Sequence, residues 1–204
     1  MPFGLKVAPS LFQKAMTKIF EPILHHTLVY IDDILLFSKD HVTHQKLLDH
    51  FLTLVESHSI MLFEKKSTLG QSTIEFLGMI LEDGYYRPSP HIAQELLHFS
   101  DEHLTKKQIQ QFLRIINYLR DFLPHLSIHT SQLFKMLKKK PGLWGLDQTS
   151  VVQRLKLITQ NPLALKIPST GQRILQTNAS DEYWGTILFE LIDGKELFCG
   201  HASG

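Results

Sequence analysis

The sequence predicts an α+β fold: hairpins first, a helical middle, and a short sheet at the end. Three observations predict it. Short β-like runs flank turn signals at Asp32-Asp33, Asp83-Gly84 and Asp193-Gly194. Apolar residues recur at helical spacing over 11–23, 47–55 and 109–122. The 204 residues are 43% apolar and 20% charged, with 11 Gly and 9 Pro. Those proportions exclude a disordered, collagen-like or low-complexity chain, and a chain of this length can bury a core without disulfides.

In chain order, Pro9 and Ser10 stand where a helix can begin, and Leu11, Phe12, Ala15, Ile19 and Ile23 extend it. Leu28-Val29-Tyr30 and Ile34-Leu35-Leu36-Phe37 read as two strands joined tightly at Asp32-Asp33. Asp40 can cap the next helix, whose apolar face is Leu47, Leu48, Phe51, Leu54 and Val55. Ile74 to Leu81 reads as one strand, returned by Asp83-Gly84 into Tyr85-Tyr86 and ended by Pro88 and Pro90.

Thr105-x-x-Gln108 is a capping box that opens an amphipathic helix through Ile109, Phe112, Ile116, Leu119 and Phe122, stopped at Pro124. Further helices are expected near 128–138 and 147–160, the second capped by Asp147. Beyond Gly171 the strands are Arg173–Thr177, Tyr183–Leu191 and Glu196–Cys199.

Net charge is +1, but it is unevenly spread. Residues 1–100 hold 8 Lys/Arg against 11 Asp/Glu, whereas residues 103–140 hold 8 basic residues against Asp121 alone. An acidic half followed by a basic segment suits a nucleic-acid path beside a metal site, and equally suits solvated helix faces. The single Cys199 excludes an internal disulfide. No apolar run approaches the ~18 residues of a membrane span, and no basic, apolar leader opens the chain. The expectation is a soluble intracellular protein, cytoplasmic or nuclear, with no membrane partner. Among 12 His, the pairs His25-His26 and His41/His44 lack a matching set with zinc spacing.

The most informative segment is Leu28-Val-Tyr-Ile-Asp-Asp-Ile-Leu-Leu-Phe37. Burying an unpaired carboxylate costs several kcal/mol, so two in an apolar hairpin need water, partners or a cation. Two readings follow. Asp32 and Asp33 are solvated turn residues, or they are hard oxygen ligands for Mg²⁺, which binds one or two carboxylates together with substrate phosphates.

Tyr30-Ile31-Asp32-Asp33 resembles the Tyr-x-Asp-Asp motif of reverse transcriptases. Met1-Pro-Phe-Gly-Leu-Lys-Val-Ala-Pro-Ser-Leu-Phe-Gln13 is similar to the motif that precedes it in those polymerases. Phe76-Leu77-Gly78 resembles their primer-grip hairpin, and Gln111-Phe112-Leu113 through Tyr118 the helix of the following connection. Leu175 to Gly185 resembles the first strands of a retroelement RNase H domain. Ser180-Asp-Glu-Tyr-Trp-Gly185 and His201-Ala-Ser-Gly204 are most similar to caulimovirus-type plant pararetroviruses, with gypsy-type retrotransposons next. The motifs follow the family's order along the whole chain.

The resemblance implies the C-terminal half of a polymerase palm over 1–88, a thumb- or connection-like helical segment over 89–168, and the start of an RNase H-like sheet over 169–204. It implies that Asp32 and Asp33 are catalytic and metal-binding, with Asp32 the principal ligand. It also implies nucleotide or template contacts at Pro2, Phe3, Gly4, Pro9, Phe12 and Tyr30. Tyr30 would face the primer end, and Pro9 and Phe12 would pack the helix behind. Gly4, without a Cβ, lets backbone approach a base pair closely, while Phe12 can equally be plain core. Phe76, Leu77 and Gly78 would support the primer, or form a buried strand with a close backbone contact. Lys106, Lys107, Lys138, Lys139 and Lys140 would meet phosphates, although the last three also suit a helix C-terminus. The implied partners are an RNA/DNA primer–template and deoxynucleoside triphosphates, with Mg²⁺ as cofactor.

Three departures bear on activity. The family's further metal-binding Asp precedes the Met-Pro-Phe-Gly motif, which opens at Met1, so an incomplete Mg²⁺ site lacking the fingers and half the palm is expected. Asn178 stands where the RNase H motif has its first acid, and a neutral amide binds Mg²⁺ less well; the remaining family acids are expected beyond Gly204. Arg114 follows Phe112-Leu113 where Gly is usual, and Val7 replaces a more common Asn. The expectation is a reverse transcriptase/RNase H fragment that does not polymerise alone. The rival readings are a non-catalytic duplex-binding fragment and a functionless relic of an endogenous viral element.

Overall fold

The computed structural model describes residues 7–123 and 126–203. Pro2, Phe3 and Gly4, the helix stop at Pro124, and Gly204 lie outside the described residues. Contacts divide the chain into two units, residues 1–71 and 72–204.

In the first unit, α1 (Ala8–Ile19) has a proline in its first turn, where the missing N–H needs no partner. The apolar period suggested continuation to Ile23, but the α-helix ends at Ile19. Pro22 cannot donate an i→i−4 bond, so Glu21–His26 closes as a 3-10 turn and buries Ile23 by another route. Strands β1 (Thr27–Tyr30) and β2 (Asp33–Leu36) pair antiparallel, with Tyr30 opposite Asp33. Helix α2 (His41–Ser57) is capped as expected. The Asp40 carboxylate accepts from the Thr43 N–H and hydroxyl, each at 2.8 Å, and these bonds hold its carboxyl below the usual range. Met16, Phe20, Ile23, Leu47, Phe51 and Val55 form the core, with Phe20 and Phe51 stacked at 5.2 Å. Phe12 lies outside it and stays 36% exposed, so plain core packing does not describe that residue.

The second unit opens with β3 (Thr73–Phe76), β4 (Met79–Glu82) and β5 (Tyr85–Pro88), joined later by β6 (Leu165–Lys166), in the order β3-β4-β5-β6. The expected single strand over 74–81 is two strands, because the chain reverses at Leu77-Gly78. The Asp83-Gly84 turn occurs as read, with φ of 51° and 75°. Helix α3 (Pro90–Leu97) was not legible. Helix α4 (Lys106–Tyr118) begins with the expected reciprocal capping box of Thr105 and Gln108. It ends at Tyr118, and a 3-10 turn over Arg120–Phe122 carries Phe122 into the interior. Helix α5 spans Leu126–Met136 and α6 spans Leu146–Thr159. Asp147 does not cap α6. Gly145 is its N-cap, with its N–H donating to Gln148 Oε1 at 2.9 Å, and Asp147 lies in the first turn, where its charge suits the helix dipole.

The core here is Leu96, Leu104, Ile109, Phe112, Leu113, Ile116, Leu119, Leu123, Leu133, Val152 and Leu155. All four helices contribute, which is what the apolar stripe of α4 requires. The Lys156 ammonium reaches Asp101 Oδ1 at 2.6 Å and the Phe99 carbonyl at 2.5 Å, tying α6 to the chain after α3. No helix among the described residues is long and apolar enough to cross a membrane.

Strands β7 (Gln172–Ala179), β8 (Trp184–Ile192) and β9 (Lys195–Ser203) form a separate meander. Its second turn is Asp193-Gly194, with φ of 51° and 75°, and Cys199 is the extra residue of a bulge opposite Leu188/Phe189. Glu190 of β8 is fully buried. Its carboxylate accepts from the Ser169 N–H at 2.7 Å, the Ser169 hydroxyl at 3.0 Å and the Gly171 N–H at 2.9 Å. Burial opposes ionisation, but these donors outweigh it and hold the carboxyl below its ordinary value. A Cβ on Gly171 would meet Glu190 Cγ at 2.7 Å, so the glycine permits the approach.

Because the folded pKa of Glu190 is lowered, its stabilisation is complete above the ordinary carboxyl range and disappears as pH falls through the lowered value. Glu190→Gln is therefore expected to speed hydrogen exchange of the β8 amides at about pH 7, with the difference from wild type shrinking below about pH 4. A pH-independent difference would mean that the carboxylate charge contributes nothing.

Candidate active site and nucleic-acid interface

The hairpin of β1 and β2 determines where the two aspartates stand. Thr27 is buried and Leu28 exposed, Val29 packs against the core, and Tyr30 is 53% exposed. The loop is two residues, Ile31-Asp32, closed by the Tyr30–Asp33 pair. Ile31 has φ 52°, and Asp32 is not left-handed. Positive φ at the first central position alone is the type II′ pattern, which normally takes glycine there. Asp32 thus occupies the second turn position and Asp33 the first position of β2. Both are exposed, and neither carboxylate makes a hydrogen bond or ion pair among the described residues.

The turn is held from α1. Gln13 Nε2 donates to the Val29 carbonyl at 2.9 Å, and Gln13 Oε1 accepts from the Ile31 N–H at 2.6 Å. Gln13 closes a recognisable motif in the sequence, but nothing in residue type or spacing announces that its carboxamide spans the hairpin 16 and 18 residues away. Pro9 and Phe12 lie on the same helix, both exposed.

In the second unit, Leu77 and Gly78 have φ of 51° and 75°, a type I′ turn. The Tyr118 hydroxyl donates to the Leu77 carbonyl at 3.0 Å, and the Ser89 N–H donates to the Gly78 carbonyl at 2.8 Å. A Cβ at residue 78 would sit 2.9 Å from Tyr118 Oη and 3.1 Å from Ile92 Cδ1. Glycine is therefore required by backbone conformation, and a Cβ would in addition press on the Tyr118 hydroxyl and the tip of Ile92. Burial and the nearby Glu75 charge push the Tyr118 phenol up, keeping it a donor. Tyr118 is the second residue whose role sequence reasoning missed.

Lys106 and Lys107 occupy the first turn of α4, the end where the helix dipole disfavours cations. Lys138, Lys139 and Lys140 follow Met136, the last residue of α5, and the Lys138 N–H still donates to the Lys135 carbonyl at 3.3 Å, so the helix C-terminus favours their charge without any ligand. All five are exposed and without an ion pair among the described residues. Asn178, opposite Gly185 on β7, lines a cavity of about 540 Å³ with Asp121, Gln176 and His201. Among the described residues no three His, Cys, Asp or Glu side chains cluster as a metal site.

Residues 1–81 match the family model for reverse transcriptase (RNA-dependent DNA polymerase). The chain is 55% identical, over all 204 residues, to the genome polyprotein of Petunia vein clearing virus (isolate Shepherd), covering 9% of it. It is 37% identical to the enzymatic polyprotein of Cauliflower mosaic virus (strain Strasbourg), with all of the chain and 31% of that protein covered.

Residues 1–81 belong to the reverse transcriptase family. The whole chain aligns with one stretch of caulimovirus-type polyproteins and spans under a third of those relatives' length. The fold agrees with the reverse transcriptase assignment. A foamy viral protease-reverse transcriptase in complex with dsDNA superposes with a TM-score of 0.85 at 20% identity, over 100% of this chain and 43% of that one. The same protein with an RNA/DNA hybrid gives 0.83, also at 20% identity, over 100% and 28%.

The Tyr118–Leu77 bond and the space at Gly78 are coupled, which yields a double-mutant cycle. Tyr118→Phe is expected to cost about 0.5–1.5 kcal/mol, and Gly78→Ala about 1–2 kcal/mol from backbone strain, plus the contact with Tyr118 Oη. In urea denaturation, Gly78→Ala should be less damaging in the Tyr118→Phe background. Additivity within about 0.5 kcal/mol would show that the hydroxyl exerts no pressure on the turn.

Proposed function

We propose that the chain contributes to an RNA-directed DNA polymerase in which Asp32 and Asp33 hold Mg²⁺ for nucleotidyl transfer from deoxynucleoside triphosphates to a primer on an RNA or DNA template. The observation that supports this most is the pair itself: adjacent carboxylates at a hairpin tip, exposed and unpartnered among the described residues. Such oxygens fit Mg²⁺, which takes one or two carboxylates and completes its shell with water and phosphate. When bound, the metal supplies positive charge to the attacking and leaving oxygens of phosphoryl transfer.

The chain's own residues then have separate tasks. Asp32 and Asp33 orient the metal-binding oxygens, and Tyr30 meets the primer end. Pro9 and Phe12, with Pro2, Phe3 and Gly4, border the nucleotide and template. The Phe76-Leu77-Gly78 turn bears on the primer strand, and Lys106, Lys107, Lys138, Lys139 and Lys140 neutralise duplex phosphates. The relatives seen with dsDNA and with an RNA/DNA hybrid support a duplex as partner.

A two-ion site needs a further acid ligand. No third His, Cys, Asp or Glu joins the pair among the described residues. On this reading another stretch of the polyprotein provides the ligand, and these 204 residues alone do not extend a primer. Residues 1–88, 89–168 and 169–204 correspond to palm, thumb or connection, and RNase H-like start. Asn178 at the first-acid position makes the last a poor metal site.

Primer extension by the intact polyprotein should be abolished by Asp32→Asn while the protein still binds duplex. Retained synthesis would overturn the metal role. For the 204-residue chain, duplex affinity should fall steeply with salt. Replacing Lys138, Lys139 and Lys140 by Ala should lower the slope of log K against log salt by roughly 2 to 3. An unchanged slope would remove these lysines from the interface.

A further inference from the structure

We infer that the Gln13 carboxamide is a positioning residue for the Asp32–Asp33 pair, holding Ile31 in the left-handed conformation on which the direction of both carboxylates depends. The inference rests on the reading of that pair as a metal site.

Among the described residues, four two-residue turns have positive φ at their first position: Ile31, Leu77, Asp83 and Asp193. In the last three the second residue is glycine, at φ 75° in each. Of these four, the Ile31-Asp32 turn alone contains no glycine, and its left-handed residue is β-branched, the side-chain type least suited to that region. Such a conformation persists only where its surroundings over-determine it.

Gln13 provides that determination. A two-residue hairpin leaves the Ile31 N–H outside the strand ladder, and Gln13 Oε1 takes it at 2.6 Å. On the other side, Nε2 donates to the Val29 carbonyl at 2.9 Å. The carboxamide can satisfy both only with its oxygen toward Ile31. In that orientation Nε2 also donates to Thr17 Oγ1, one helical turn along, at 3.2 Å. The amide therefore spans the peptide groups on either side of Tyr30 and fixes the rotation of the chain as it enters Asp32. Leucine has similar bulk without the bonds. Glutamate keeps the acceptor for Ile31 but sets a carboxylate oxygen against the Val29 carbonyl.

The test uses the 204-residue chain and Mn²⁺ as probe, with free metal counted by electron paramagnetic resonance. It compares wild type, Gln13→Leu, Gln13→Glu, Ile31→Gly and the double variant that combines Gln13→Leu with Ile31→Gly. Wild type should bind Mn²⁺ in an Asp32-dependent way. Gln13→Leu should weaken binding about tenfold, the worth of one to two net hydrogen bonds. Gln13→Glu should fall between the two. Ile31→Gly should restore most of the affinity in the Gln13→Leu background, because glycine adopts the turn unaided.

An equal loss from Gln13→Leu whether or not Ile31→Gly is present would overturn the inference, since Gln13 would then act only through packing of α1. Exchange of the Ile31 amide is the independent readout, expected at least about tenfold faster in Gln13→Leu, where unchanged exchange also overturns it. If wild type shows no Asp32-dependent binding, the metal reading fails. Amide exchange and the melting cycle of Gln13→Leu with Ile31→Gly then still decide the role of Gln13, coupling supporting it and additivity overturning it.

Discussion

The hairpin tip that carries two adjacent carboxylates turns without a glycine, and the rest of the first unit is arranged around that. At Leu77-Gly78, Asp83-Gly84 and Asp193-Gly194 the chain reverses with a glycine in the left-handed region. At Ile31-Asp32 the second position is an acid and the first is isoleucine rather than glycine. The left-handed backbone falls on isoleucine, and the difference is offset by a side chain from another element. Much of the first unit serves that requirement: α1 carries Gln13 on one face and Met16 on another, and Met16 seats the helix on the core with Phe20 and Phe51.

The same logic operates in the second unit with different parts. The Leu77-Gly78 turn has its glycine, and its freedom is removed by Tyr118 from α4 and by the Ser89 N–H at the start of α3. In both candidate contact loops a helix thus reaches across to a hairpin carbonyl or N–H. Loops that position chemistry are more precise when regular elements brace them. The five lysines offered to phosphate are the opposite case, exposed and unpaired among the described residues, with Lys106 and Lys107 unfavourably sited at the start of α4. Long cationic side chains need no fixed geometry to neutralise a polyanion.

Local rules made much of this legible. The Asp40 cap, the Thr105–Gln108 box and the Asp-Gly turns each depend on residues within three positions of one another, and each formed as read. The motif at Tyr30–Asp33 located the candidate site. What failed depended on one residue or on distance. Pro22 ended a helix that its apolar period would have continued, and Gly78 broke a strand whose alternation ran through it. Gly145 took the cap from Asp147 because Gln148, not an acid, reached back. The roles of Gln13 and Tyr118 were invisible because their partners lie 16 to 18 and 41 residues away.

The stretch Ile167-Pro-Ser-Thr-Gly171 has the composition of a swivel between the helical segment and the terminal meander. Glu190 removes the swivel by occupying two of its backbone N–H groups and a hydroxyl. The stretch therefore behaves as a hub rather than a hinge. A displacement of the meander is therefore passed to β6 and the sheet it completes instead of being lost in the connection.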